Sequence, residues 1–145
     1  MFSGQYNTLL NSNNQLTPPS RFGELLTQGA VITQGFDRNL IVLSRQSFQA
    51  LSDRILSMNL INPAARTLLR MVIGNAADLD LDQSGQVVIP ARLAGLAGLS
   101  SSAVLVGLGD FFEIWSAEAW SAQESKSSDQ DADPNRFSSL NLSMR

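Results

Sequence analysis

The chain contains no cysteine and no histidine. Without cysteine there is no disulfide framework and no thiolate metal site, and nothing points to an oxidising compartment. Without histidine the usual general base near neutral pH and the commonest metal ligand are both missing, so serine triads and histidine-held metals are excluded. No apolar run approaches the roughly 18 residues that a membrane span needs, and the first residues lack a basic stretch leading into an apolar one. These absences predict a soluble, cytoplasmic protein. Since Glu113 and Glu118 have no second titratable group at a predictable distance, no enzyme is expected, nor a cofactor, metal, membrane partner or small-molecule substrate.

What is present suffices for a core. At 145 residues and 43% apolar composition the chain has the size of one domain. Its charge is divided unevenly. Residues 1–75 carry Arg21, Arg38, Arg45, Arg54, Arg66 and Arg70 against Glu24, Asp37 and Asp53, a balance of +3, whereas residues 76–145 come to −6 within a total of −3. A polyanion is therefore expected to meet the first half.

The strongest pattern is a repeat at a fixed offset. Asn11-Ser12-Asn13-Asn14-Gln15-Leu16-Thr17-Pro18-Pro19 and Asp82-Gln83-Ser84-Gly85-Gln86-Val87-Val88-Ile89-Pro90 lie 71 residues apart, and Arg21 matches Arg92 at the same spacing. The period is too long for a solenoid unit and reads as a duplicated half-domain.

The local signals repeat in the same order. In the first copy a strand over Phe2–Leu10 is followed by a turn at Asn11–Asn14, a strand at Gln15–Thr17 and a short helix capped by Ser20 and ended by Gly29. The β-branched runs Ala30–Thr33 and Leu40–Leu43 form a hairpin, and Ser44 caps a helix with Phe48, Leu51 and Ile55 at buried-face spacing. Asn62-Pro63 starts a linking helix, with proline at the first helical position. In the second copy, strands at Ala76–Leu81 and Val87–Ile89 flank a turn at Asp82–Gly85. A helix at Pro90–Ala97, a hairpin turning at Gly107–Asp110 and a closing helix capped by Ser116 and running through Trp120 follow. Ser116 and Trp120 follow Ser44 and Phe48 by 72 residues. The expected organisation is a first half over 1–56, a linking helix over 57–75, a second half over 76–123 and a disordered tail over 124–145, whose Ser, Asp and Asn content offers little to bury.

Two competing motifs fail on their own chemistry. Asp80-x-Asp82-x-Ser84-Gly85 opens like a calcium-binding loop, but the twelfth position is Ala91, where a bidentate glutamate is required. Gly107-x-Gly109 lacks the third glycine and the following helix of a nucleotide fingerprint. Trp115 and Trp120 read as core or subunit-interface residues.

Met1-Phe2-x-Gly4-x-Tyr6, the two turn-strand-proline-helix copies, Asn62-Pro63-x-x-Arg66, Leu79-Asp80-Leu81-Asp82 and Glu113-Ile114-Trp115 together resemble the MraZ family over about residues 1–120. The resemblance implies an α+β, mainly β architecture: a duplicated AbrB-like swapped-hairpin β-barrel with short helices. It implies a nucleoid-associated transcriptional regulator, assembled as a homo-oligomeric ring, that binds DNA direct repeats upstream of its own operon, the division and cell-wall gene cluster. The family hallmark in each half is Asp-x-x-x-Arg, and here it reads Asn11-x-x-x-Gln15 and Asp82-x-x-x-Gln86. Glutamine has neither the charge nor the rigid fork of arginine, yet it can pair bidentately with adenine or donate to a phosphate. On this resemblance the DNA-contacting candidates are Asn13, Asn14, Gln15, Arg21, Gln86 and Arg92, with Arg38, Arg66 and Arg70 as further cations of the first half. The alternative is a ring-forming scaffold of the same fold with weakened or lost DNA binding.

Overall fold

The computed structural model describes residues 1–130 and 135–140. The first half supplies β1 (Phe2–Leu9), β2 (Gln15–Leu16), α1 (Ser20–Leu26), β3 (Ala30–Gln34), β4 (Leu40–Ser44) and α2 (Arg45–Leu56). Helix α3 (Pro63–Val72) links it to β5 (Ala77–Leu79), β6 (Val87–Val88), α4 (Ala91–Leu96), β7 (Ser102–Gly109), β8 (Phe111–Trp115) and α5 (Ala117–Gln130). The order strand, strand, short helix, strand, strand, helix thus occurs twice.

Local chemistry accounts for the longer helix starts. The Ser44 hydroxyl accepts from the Ser47 amide at 3.1 Å, the Asn62 side chain from the Ala64 amide at 2.9 Å, and the Ser116 hydroxyl from the Ala119 amide at 3.0 Å. Each satisfies a donor that the first helical turn leaves without a partner. The short helices differ from expectation. Pro19 and Pro90 occupy their cap positions, both at φ −52°, with no side-chain bond, and Ser20 is already helical.

Six strands form one antiparallel sheet in the order β1-β7-β8-β4-β3-β5, and β2 pairs with β6 in a separate ladder. The order is a palindrome of the two halves. β1 of the first half lies on β7 of the second, β5 of the second lies on β3 of the first, and β4 meets β8 at the centre. Ile41 there faces Glu113, its own counterpart at an offset of 72. Leu16 likewise faces Val87, its counterpart at 71. The expected barrel is not closed. Among the described residues β1 and β5 remain the two ends of an open sheet, because the chain leaves both for the β2–β6 ladder, β1 through the Asn11 turn and β5 through the Leu81 bridge and the Asp82 turn.

That ladder and the short helices cover the inner face of the sheet. Leu16 and Val87 from the ladder, Ile89 just past β6, Phe22 and Leu26 from α1, and Leu93 from α4 pack on buried residues of all six sheet strands. At the centre Phe22, fully buried, holds an edge-on contact with Phe2 at 5.0 Å and lies 4.8 Å from Phe112, joining strands from both halves through one ring. On the outer face α5 lays Ala119 and Trp120 over Val104, Val106 and Trp115, with the indoles 5.3 Å apart. Glu113 bridges there: its carboxylate accepts from Trp115 Nε1 and from Asn39 Nδ2, both at 2.9 Å, and Asn39 is buried. At the other end the buried Thr33 hydroxyl donates to the Val72 carbonyl at the end of α3.

Two boundaries differ from the sequence expectation. β7 continues through Gly109 and leaves only Asp110 as the turn, because Gly107 lies opposite Gly4 in the β1–β7 register. A Cβ at Gly107 would fall 2.6 Å from the Ser3 Cα, so only glycine lets β1 approach. Helix α5 runs to Gln130, across the first part of the segment expected to be disordered, and Ser138–Leu140 form a 3-10 turn. The rest of that expectation, at 131–134 and 141–145, lies outside the described residues. Truncating Phe22 to alanine should lower unfolding free energy by about 3–5 kcal/mol in urea denaturation, as one cooperative loss for both halves.

Candidate nucleic-acid interface

The two repeated turns are built by the same bonds. The Asn11 amide donates to the Gln15 carbonyl at 3.0 Å and the Asn14 amide to the Asn11 carbonyl at 3.0 Å; the Asp82 amide donates to the Gln86 carbonyl at 2.8 Å and the Gly85 amide to the Asp82 carbonyl at 3.0 Å. Asn11 Oδ1 accepts the amides of Asn13 and Gln15, and Asp82 Oδ1 those of Ser84 and Gln86, within 2.8–3.0 Å. A short side-chain oxygen that can fold back on the amides two and four residues ahead explains Asn or Asp at the first position. The fourth position is left-handed, Asn14 at φ 59° and Gly85 at φ 78°, a conformation that asparagine and glycine tolerate.

The β2–β6 pairing then decides which side chains share a face. Gln15 stands opposite Val88 and Leu16 opposite Val87, which carries Thr17 to the side of Gln86; the Gln86 Nε2 donates to Thr17 Oγ1 at 3.3 Å. Side chains alternate along a strand, so Leu16 and Val87 turn into the core while Gln15, Thr17, Gln86 and Val88 share the outward face. The turns close opposite ends of this ladder. Residues Asn7, Asn11, Gln15, Thr17, Gln86 and Ser101 help line an open groove of about 570 Å³ along it, and no ionisable side chain among the described residues lines that groove.

The structure therefore brings together Asn13, Asn14, Gln15 and Gln86 on or beside one ladder. It does not bring Arg21 and Arg92 to it by any bond among the described residues. They occupy equivalent exposed positions, each the second residue of its short helix, and Arg92 Nε donates to Asn75 Oδ1 at 3.2 Å. Arg66 is engaged elsewhere, one guanidinium nitrogen donating to the Leu60 and Ile61 carbonyls at 2.8 and 3.1 Å. Gln15 of the first half and Gln86 of the second meet in a single ladder, so the two halves share this face. Thr17 and Val88 escaped notice in the sequence. The signal that could have found them is the offset itself, because an antiparallel pairing of counterpart strands centred on Leu16 and Val87 puts residues 15, 17, 86 and 88 on one side.

The halves differ in how each glutamine is held. Asn11 Nδ2 donates to Gln15 Oε1 at 2.9 Å, so two neutral amides keep a side-chain pairing across the turn. Asp82 has no proton to donate, and Gln86 reaches across to Thr17 instead.

Comparison with known proteins follows the same lines. The chain is 38% identical over 120 residues to the transcriptional regulator MraZ of Herpetosiphon aurantiacus, covering 83% of this chain and 84% of that protein. The chain belongs to the MraZ family. It is similarly 38% identical to the MraZ regulator of Roseiflexus castenholzii over 120 residues (83% and 84% covered), and 35% identical to that of Thermomicrobium roseum over 123 residues (85% and 87% covered). A family model described as "MraZ protein, putative antitoxin-like" matches residues 72–138, from the end of α3 through the second series of elements. Replacing Asn11 or Asp82 by alanine removes an acceptor of two amides and should cost about 1 kcal/mol in thermal unfolding, slightly more at Asn11, which also holds Gln15.

Proposed function

We propose that this chain is a sequence-specific DNA-binding transcriptional regulator that presents the outward face of the β2–β6 ladder to the major groove. The observation that carries the reading is the meeting of Gln15 and Gln86, one from each half, on one exposed two-stranded ribbon between two hydrogen-bonded turns. A two-stranded ribbon is an element the major groove admits, and amide side chains are among those that read base edges. The three relatives reported above are named transcriptional regulators, which agrees with it.

In this reading Gln15 and Gln86 contact bases, Asn13 and Asn14 reach the backbone from the turn, and Arg21 and Arg92 supply flanking phosphate contacts. The palindromic strand order supports a duplicated, swapped-hairpin origin for the two halves. The target, by resemblance, is direct repeats upstream of the chain's own operon in the division and cell-wall cluster, bound in the nucleoid by a homo-oligomeric ring.

The ladder face is neutral, which weakens the counterion-release part of binding relative to an arginine-bearing face. Anisotropy titrations on the DNA upstream of this chain's own gene, repeated across salt concentrations, are expected to give specific binding that Arg21→Ala weakens, with a slope smaller by about 0.9. Equal, weak binding by both proteins at every salt concentration would leave the scaffold reading in place of the regulator. Gln15→Arg should strengthen binding more than Gln86→Arg, because an arginine at 86 faces the Asp82 carboxylate, whereas one at 15 faces the neutral Asn11. The reverse order would contradict that electrostatic argument.

A further inference from the structure

We propose that this chain reads adenine at two positions of its DNA site, one through Gln15 and one through Gln86; the inference rests on the regulator reading above. The argument starts from which atoms of each amide are already used. Gln15 Oε1 accepts one bond from Asn11 Nδ2, which leaves a second lone pair on that oxygen and both Nε2 protons open. Gln86 spends one Nε2 proton on Thr17 Oγ1 and keeps the other proton and its oxygen open. Each side chain thus keeps at least one acceptor and one donor of the same amide open.

In the major groove adenine presents the complement, the N6 amino donor beside the N7 acceptor. Guanine presents two acceptors, N7 and O6, and would set O6 against the glutamine oxygen. An arginine at either place would prefer guanine. The surroundings reinforce the selection. Asn11 and Thr17 orient the two amides from beside them, and among the described residues the groove along the ladder is lined by amide, hydroxyl and apolar groups.

The pairing register adds a geometric condition. Gln15 lies opposite Val88, two residues from Gln86, so the glutamines are diagonal neighbours, about 7–8 Å apart and related by the approximate two-fold at the Leu16–Val87 pair. Two side chains so related meet opposite strands of a duplex. Their separation corresponds to roughly two base-pair steps of 3.4 Å. The expected element is one adenine on each strand, about two base pairs apart.

The test replaces each adenine of a bound duplex, taken from the DNA upstream of this chain's own gene, by 7-deazaadenine, which keeps base pairing and removes N7. Wild-type full-length protein should lose about tenfold in affinity at two such positions on opposite strands. Gln15→Ala should become insensitive at one of them and Gln86→Ala at the other, with only a small fall in melting temperature, since each variant gives up one solvent-accessible side-chain hydrogen bond. Gln15→Arg should turn the preference at its position from adenine to guanine. Specific binding that no 7-deazaadenine disturbs, or an unchanged pattern in Gln15→Ala, overturns the adenine assignment while leaving the regulator reading intact. No preference among the duplexes at all overturns both.

Discussion

Everything in this fold depends on the ladders between the halves, which join the two internal hairpins β3–β4 and β7–β8 into one sheet and pair β2 with β6. β1 has no partner but β7, β5 none but β3 among the described residues, and the two ladders that cross the approximate symmetry axis do so at matched residues, Leu16 with Val87 and Ile41 with Glu113. Neither half could bury Phe22 or Leu93 alone, since the strands over them come from both halves. Period-two alternation makes this demanding. A one-residue slip between β2 and β6 would turn Leu16 and Val87 outward and both glutamines into the core.

The same constraint explains which features could be seen in the sequence. Ser44, Asn62 and Ser116 were legible because a cap is decided within three or four residues, and the β3–β4 hairpin because both strands carry the β-branched runs that pair. The repeat was legible, and with it the turns at Asn11 and Asp82. The open sheet was not, because pairings between β1 and β7 or β5 and β3 join residues with no local signal. For that reason Gly107 read as a turn residue, although its role is to admit β1. The length of α5 was hidden by the polar composition of residues 124–130. At the candidate interface the residue types could be read at positions 15 and 86, but their shared face depends on register, and Arg66 counted as a free cation until its carbonyl partners were visible.

The two turns show how one backbone device tolerates different electrostatics. An oxygen at the first position is all that the turn itself requires, so Asn11 and Asp82 serve equally as acceptors. The amide of Asn11 adds a donor, and Gln15 responds by pairing with it; the carboxylate of Asp82 cannot, and Gln86 crosses the ladder. A neutral amide pair of this kind gives up long-range attraction for a directional contact that salt screens little.

Interlacing also has a consequence in time. Phe2 pairs with Gly109, so β1 leaves the ribosome before its partner β7 is made and must wait for it. At translation rates of roughly 5–20 residues per second, the first strand spends on the order of 5–20 s without its partner. During that interval the inner face of the β3–β4 hairpin, with Ile32 and Val42, has neither β8 beside it nor α4 beneath it. A nascent chain of this protein therefore emerges with its core uncovered, which makes the period of synthesis, rather than the finished fold, its most exposed state to aggregation and to capture by chaperones.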